Sequence, residues 1–213
     1  MRLLHLTLPV SDVGTVAAWF HDVLQLRVVG HHVHIGWSTI ELQPADGQPL
    51  GGVHLAFNVP DNRFNEAMAW LRERVPLQRN PEGIDYFALE STWQSQSVYF
   101  TGPDGLILEL IGRKRLPASA RSGAFYGSEL ICLSEVGLPS ADVDAVRAEA
   151  SARFGLQPLS TPSSQFAPMG DDEGLLIVVA ADRRWFPAQK DLPHAQGLLL
   201  RVGGEGLGRL VVL

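Results

Sequence analysis

The sequence predicts an α+β fold built from repeated βαβββ units, and two observations support this prediction. The stretch Leu8-Pro9-Val10-Ser11-Asp12-Val13 returns as Leu138-Pro139-Ser140-Ala141-Asp142-Val143, which indicates an internal repeat. Each copy is followed by apolar residues at helical spacing and then by short apolar runs of strand length. The chain is therefore predicted to repeat a strand, a helix and three further strands, three times over.

The first unit begins with the strand that contains His5 and continues into a helix capped by Ser11 or Asp12. One face of that helix is apolar, at positions 13, 16, 17, 20, 23 and 24. Three strands are expected at about residues 27–29, 32–35 and 39–43. Residues 44–49, rich in Pro, Gly and polar residues, link this unit to the next.

The second and third units follow the same order. The second starts with the strand 53–59, and Asp61 or Asn62 caps its helix, while the third has its helix after Asp142 with Gly155 as the C-cap. Their other strands are expected at residues 86–89, 96–101, 106–111, 156–159, 165–169 and 175–180. The tail is predicted to add two strands of a fourth unit without its helix, at residues 197–202 and 209–213, and residues 113–127 are the expected domain boundary.

Composition limits the class of protein. The chain has 213 residues, 46% of them apolar, a net charge of −6 and no basic run, so nucleic acid is not expected as a partner. The single cysteine, Cys132, excludes an intrachain disulfide and fits a reducing cytoplasm. The N-terminus lacks the unbroken apolar core of a signal peptide, and the longest apolar run, 175–181, is too short to span a bilayer. We expect a cytoplasmic protein that does not bind membranes.

Glu109 is the most informative single residue. It lies in an otherwise aliphatic strand that follows the tight-turn sequence Pro103-Asp104-Gly105. A carboxylate on the inner face of such a strand is costly unless it is paired or bound to a metal. The alternative is that Glu109 points to solvent from an edge strand.

The repeat register connects Glu109 to other candidate ligands. His5 and His54 each stand seven residues before the capping Asp of their unit, and Glu41 matches Glu109 in the last strand. If the first two units pack about a pseudo-twofold axis, two imidazoles and one or two carboxylates converge. Such a set predicts a site for a first-row divalent metal, Fe, Ni, Mn or Zn, with open positions for substrate.

Other polar residues fit the pattern less well. His31, His32 and His34 follow Gly30 at an expected strand turn, so an exposed or pocket-lining role is favoured over a second metal site. In the third unit Glu135 takes the register position of the histidines, but aliphatic residues at 177–179 replace the last-strand glutamate. No metal site is therefore expected in the second half of the chain.

Three motifs give the chain its resemblance to a known superfamily: Leu4-His5-Leu6-Thr7-Leu8, Val53-His54-Leu55-Ala56-Phe57, and Tyr99-Phe100-Thr101-Gly102-Pro103-Asp104-Gly105 with Glu109. They resemble the vicinal oxygen chelate superfamily, which includes glyoxalase I, extradiol dioxygenases, fosfomycin-resistance thiol transferases and metal-free bleomycin-binding proteins. In that superfamily two βαβββ units form a half-barrel bowl that holds one divalent metal. The resemblance implies a metal-binding domain at 1–112, with units 1–46 and 50–112, and a second, degenerate bowl without ligands at 128–213.

The resemblance also implies roles for individual residues. The metal ligands would be His5, His54 and Glu109, with Glu41 as a fourth, and Glu109 or Glu41 would serve as the proton-transferring base. Tyr99 matches a tyrosine beside the metal, although packing in the core with its hydroxyl on a backbone group is an equal alternative. The expected substrate-binding residues are Thr7, Thr39, Ser97 and His34.

A divalent metal with open positions can bind two neighbouring oxygens of a small molecule and stabilise the negative charge that develops on them. The leading hypothesis is a glyoxalase-type lyase or isomerase that transfers a proton, because Glu41 would complete a four-ligand site. The alternatives are an extradiol-dioxygenase-like Fe(II) oxygenase, a thiol transferase, and a non-catalytic ligand-binding resistance protein. The sequence is compatible with a monomer or a homodimer.

Overall fold

A computed structural model describes residues 1–195 and 197–203, and it has the α+β fold that the repeats predict. The helices are α1 (Val13–Asp22), α2 (Phe64–Arg72) and α3 (Val143–Phe154). The strands are β1 (Arg2–Val10), β2 (Arg27–Val29), β3 (His32–Ile35), β4 (Ser38–Pro44), β5 (His54–Val59), β6 (Phe87–Leu89), β7 (Ser95–Thr101), β8 (Ile107–Arg113), β9 (Cys132–Ser140), β10 (Phe166–Asp171), β11 (Gly174–Ala180) and β12 (Leu199–Gly203). Among the described residues, no helix has the length and apolar character needed to cross a membrane.

The strands form two sheets. A five-stranded sheet has the order β12-β1-β4-β3-β2, and a seven-stranded sheet has the order β10-β11-β9-β5-β8-β7-β6. The seven-stranded sheet curls into a half-barrel, as expected for a bowl. Within each unit the first strand pairs in parallel with the last one, β1 with β4, β5 with β8 and β9 with β11.

The units pair differently from the expected division into 1–112 and 128–213. The first unit shares its sheet with β12, whereas the second unit joins the third through antiparallel pairing of β5 with β9. The physical reason is that β1 and β5 each have one edge occupied by their own unit, and the other edge needs a further strand. The later units supply those strands, so the first two units do not form a common bowl.

One further strand expectation differs from the structure, and another falls outside the described residues. Residues 156–159 do not form a strand, and their contact with β10 is limited to a bridge between Pro158 and Met169. The strand expected at 209–213 lies outside the described residues. The caps of α1 and α3 agree with the sequence, because Asp12 accepts a hydrogen bond from the Thr15 amide at 2.7 Å, and Gly155 adopts a left-handed conformation after α3. The cap expected at Asp61 or Asn62 is wrong: these residues lie in a 3-10 turn, and α2 begins after Arg63 without a side-chain cap.

The two sheets meet where the β3–β4 turn approaches the start of β9. The Ser38 hydroxyl donates to the Leu3 carbonyl at 2.7 Å and accepts from the Leu133 amide at 3.1 Å, which joins both sheets. Gly36 has φ +51°, and a Cβ atom there would lie 1.8 Å from the Ile131 carbonyl oxygen. Only glycine permits this close approach.

The segment expected as a domain boundary is anchored to the second unit by Arg63. Its buried guanidinium donates to the carbonyls of Gly123 at 2.9 Å and Ala124 at 3.2 Å. It also pairs with the buried carboxylate of Glu129, with 3.2 Å between Nε and Oε2. The boundary segment is thus held against the helix side of the seven-stranded sheet.

We expect Arg63→Ala to lower the free energy of unfolding by about 3–5 kcal/mol, because it leaves the Glu129 carboxylate buried without its partner. Urea denaturation followed by circular dichroism measures the change. The matched control is Arg72→Ala, since Arg72 pairs with Asp85 on the surface and its loss should cost no more than about 1 kcal/mol. Equal losses in the two variants would contradict the anchoring role.

Candidate metal centre

The concave face of the seven-stranded sheet brings three titratable side chains together. In the centre of the sheet Ala56 pairs with Glu109 on one side and with Glu135 on the other. His54 lies two residues earlier on β5, so it projects from the same face. The small side chain of Ala56 leaves the space above it open to the imidazole and the two carboxylates.

These three groups are buried and close to one another. His54 Nε2 lies 3.6 Å from Glu109 Oε2 and 3.5 Å from Glu135 Oε2. His54 Nδ1 lies 3.2 Å from the Ile107 carbonyl oxygen, which can only accept, so Nδ1 carries the proton of this hydrogen bond. In the neutral imidazole the Nε2 lone pair is therefore directed at the two carboxylates.

Arg113 balances part of the acidic charge. Its fully buried guanidinium forms an ion pair with Glu135 Oε1 and lies 3.7 Å from Asp172 Oδ1. Burial and then the charge of Glu135 raise the pKa of Glu109 well above 4.5, although Arg113 acts in the opposite direction. Without a bound cation, Glu109 retains its proton to a higher pH than an ordinary glutamate.

The donor set fits a divalent cation. The ligand atoms of His54, Glu109 and Glu135 all lie within 4.8 Å of one another. Lone pairs that converge in a buried space repel unless a proton or a cation lies between them. Since Arg113 engages only Oε1 of Glu135, Oε2 is free to act as a ligand together with His54 and Glu109. One imidazole and two carboxylates suit first-row divalent metals.

Besides His54 and Glu109, two more of the predicted site residues lie at the same site, Tyr99 and Ser97. Tyr99 pairs with Glu109 across β7 and β8, and Ser97 lies two residues earlier on the same face. The Tyr99 and His54 rings have centroids 6.3 Å apart. Burial, followed by the charges of Glu109 and Glu135, raises the pKa of the Tyr99 hydroxyl well above 10, which keeps it a hydrogen-bond donor.

The other predicted residues lie on the five-stranded sheet, which corrects the expected convergence of four ligands. His5 Nε2 lies 2.9 Å from Glu41 Oε2, so these two of the four predicted ligands contact each other on this sheet. Thr7 pairs with Glu41 in the β1–β4 ladder, and Thr39 pairs with His34 in the β3–β4 ladder. Within the described chain, the candidate metal groups of three or more residues do not include His5 together with residues of the seven-stranded sheet. The four predicted ligands do not converge because the first unit and the second unit lie in different sheets.

Glu135 and Arg113 complete the centre, and the sequence did not assign them to it. The register placed Glu135 at the position of the histidines, but it gave no reason to bring the third unit against the second. Arg113, at the end of β8, lies on the same face as Glu109 because four residues separate them along a strand. The role of Arg113 could be recognised only from the structure, which places the Glu135 carboxylate beside it.

A cavity of about 480 Å³ opens above the three groups. Its walls are mainly aromatic and aliphatic, and include Phe87, Trp93, Ile111, Phe166, Ile177 and Phe186. Trp185, from the segment after β11, closes one side and donates from Nε1 to the Gly52 carbonyl at 2.8 Å. Its ring lies over Gly137, where a Cβ atom would approach it to 2.7 Å, and 4.9 Å from the His54 ring.

Comparison with solved structures shows that the chain has the fold of the vicinal oxygen chelate superfamily, which confirms the resemblance found in the sequence motifs. A protein from Bacillus subtilis assigned as a dioxygenase matches 84% of this chain with a TM-score of 0.56 and 18% identity. Glyoxalase I from Zea mays matches 84% with a TM-score of 0.52 and 17% identity. The chain spans 63% and 66% of the lengths of these two proteins.

One curated relative is a metallothiol transferase, FosB, from Staphylococcus epidermidis. It is 29% identical over 118 residues, which cover 50% of this chain and 78% of the relative. No protein-family model matches the chain.

The raised pKa of Glu109 predicts how the stability of the metal-free protein depends on pH. Because the folded state favours the neutral carboxyl, its contribution is present in full below pH 4.5 and is lost as the pH rises through the folded-state pKa. We therefore expect the urea midpoint of chelator-treated protein to fall between pH 5 and pH 8, and to fall less in Glu109→Gln. The exposed Glu82 supplies the control, Glu82→Gln, which should follow the parent. Parallel pH profiles for the parent and Glu109→Gln would refute this effect.

Proposed function

We propose that the chain is a metal-dependent enzyme that uses His54, Glu109 and Glu135 to hold a divalent metal and acts on a small molecule with two neighbouring oxygens. The observation that carries the proposal is the convergence of three buried ligand atoms at the floor of an apolar cavity. When bound, the metal would act as a Lewis acid toward substrate oxygens. The similarity in fold to glyoxalase I and to a dioxygenase supports an enzyme of this kind.

Proton transfer, as in a lyase or isomerase, is the reaction that the surrounding residues favour. Glu109 is the proton-transferring base, since its carboxyl lies on the cavity floor beside the Tyr99 hydroxyl across the β7–β8 pair. Tyr99 donates a hydrogen bond to an oxygen on which negative charge develops. Arg113 pairs with Glu135 Oε1 and orients its carboxylate, and Arg113 itself does not line the cavity. Glu41 lies on the five-stranded sheet and does not contribute to this centre, so Glu109 is the base.

The cavity also indicates the class of substrate. Its aromatic walls suit a planar apolar molecule, and Phe87, Tyr99 and Phe186 meet edge to face at its mouth. Arg183 lines the same cavity and lies 5.0 Å from the centroid of the Phe166 ring. Within the described residues its guanidinium has no acidic partner, so it is available to an anionic group on the substrate. We propose an aromatic compound that carries a carboxylate and a vicinal pair of oxygens.

Manganese content tests the metal centre. Protein loaded with Mn²⁺ and then desalted should retain one equivalent in the buried centre, because two carboxylates and one imidazole suit this ion. His54→Ala and Glu135→Gln should each lose that equivalent, as measured by inductively coupled plasma mass spectrometry. His21→Ala, which removes an exposed imidazole on α1, should keep it. Full retention of Mn²⁺ by His54→Ala would overturn the proposed centre.

Ligand binding tests the role of Arg183. Quenching of Trp93 and Trp185 fluorescence should show that the metal-loaded protein binds 3,4-dihydroxybenzoate about 10- to 100-fold more tightly than catechol, because a charged hydrogen bond contributes about 1.5–3 kcal/mol. In Arg183→Gln the two affinities should become similar. Arg184 is exposed, so the control variant Arg184→Gln should keep the same difference between the two ligands as the parent. Equal affinities in the parent would exclude an anionic substrate group at Arg183.

A further inference from the structure

The five-stranded sheet carries a second set of metal-binding side chains that the proposed active site does not use. We propose that His31, His32 and Glu41 form a second transition-metal site, with His5 holding the Glu41 carboxylate in place. The sequence favoured an exposed or pocket-lining role for these histidines, but the structure gathers them around one carboxylate. The site shares no residue with the buried centre, so this inference does not depend on the proposed function.

The five-stranded sheet repeats part of the register of the buried centre. Thr7 is paired with Glu41 on one side, and His5 lies two residues earlier on the same face of β1. On the other side Thr7 pairs with Leu199, at the position that Glu135 takes in the seven-stranded sheet. The leucine cannot bind a metal, so a site on this sheet needs donors from elsewhere.

The β2–β3 hairpin supplies these donors. Val29 pairs with His32, so Gly30 and His31 form a two-residue turn, and Gly30 has the positive φ of +61° that such a turn requires. The turn is held over β4 because the His31 carbonyl accepts a hydrogen bond from the Leu42 amide at 2.9 Å. Because His31 lies in the turn, it does not follow the alternation of side chains along a strand, and its side chain lies on the same side of the sheet as that of His32.

The resulting cluster has the dimensions of a metal site. His32 is directly opposite Glu41 in the β3–β4 ladder, and His31 Nε2 lies 3.8 Å from Glu41 Oε1. The two imidazole rings have centroids 4.2 Å apart. One ligand atom from each of the three residues lies within 4.8 Å of the other two.

Glu41 is oriented for this role by its neighbours. His5 Nε2 lies 2.9 Å from Oε2, and the Gln43 amide donates to Oε1 at 2.9 Å. Hydrogen bonds of this kind commonly orient the carboxylates that bind metals. Those contacts, the Gln43 hydrogen bond first, also lower the pKa of Glu41 despite partial burial. His31 is 51% exposed, so the site is open to solvent and retains positions for water or another ligand.

The two sites should prefer different metals. Two imidazoles and one carboxylate suit Zn²⁺, Ni²⁺ or Cu²⁺, whereas the buried centre, with two carboxylates, is better suited to Mn²⁺. Exposure should also let chelators reach the histidine site sooner than the buried one. The second site is therefore expected to bind and release a borderline divalent ion while the buried centre keeps its own.

Titration with Zn²⁺ tests the inference on the full chain. Isothermal titration calorimetry of Mn²⁺-loaded protein should show one further equivalent of Zn²⁺, which a His31→Ala, His32→Ala double variant should lose. His21→Ala should bind Zn²⁺ like the parent, and His54→Ala, which lacks the buried centre, should still bind one Zn²⁺ through the two histidines. Titration with Co²⁺ should add a visible absorption band that the double variant lacks.

Each outcome separates this inference from the proposed function. Loss of Zn²⁺ binding in the double variant, without a change in melting temperature, supports the second site. Unchanged Zn²⁺ stoichiometry in the double variant overturns it, whatever the state of the buried centre. If the parent retains no Mn²⁺ but binds one Zn²⁺ that depends on the two histidines, the proposed active site fails and the second site stands.

Discussion

The antiparallel pairing of β5 with β9 is the interaction on which the candidate site depends. It places Glu135 from the third unit across from Ala56, and so beside His54 and Glu109 from the second unit. The register of this ladder shifts between Ala56 and Phe57, because Ser134 of β9 has no register partner on β5. The ligands of a metal in this fold are therefore selected by strand pairing, and each unit contributes only part of the set.

Concentrating two carboxylates on the floor of an apolar cavity is energetically costly, and the surroundings compensate for this cost. Arg113 neutralises Glu135 from outside the cavity, while Glu109 can remain protonated until a cation replaces the proton. The cavity walls above these groups are mainly aromatic and aliphatic, with Arg183 and a few polar side chains among them. A low-polarity wall strengthens electrostatic interactions at the floor, where the proposed chemistry takes place.

The sequence predicted what is encoded within a unit. The repeat located the helices, two of the three helix caps were predicted correctly, and the aliphatic setting of Glu109 indicated the inner face on which it is buried. It could not predict which units share a sheet, because backbone hydrogen bonds between strands are nearly independent of side-chain identity. The third unit has one strand fewer than expected, because residues 156–159 form only an isolated bridge to β10, between Pro158 and Met169. As a result Glu135 stayed unassigned, although its register position matched that of the histidines.

Leu199 has a consequence for how the two sheets have diverged. Duplicated units that keep the same backbone register inherit the same inward positions, so differences in chemistry must arise at single residues on that shared scaffold. At this position one sheet has an acid, Glu135, and the other has an aliphatic side chain. This difference, together with the histidines of the β2–β3 hairpin, gives the two sheets different sets of possible metal ligands on a similar strand register. A single side chain at position 199 thus distinguishes the candidate ligands of the two sheets while the strand pairing around it stays the same.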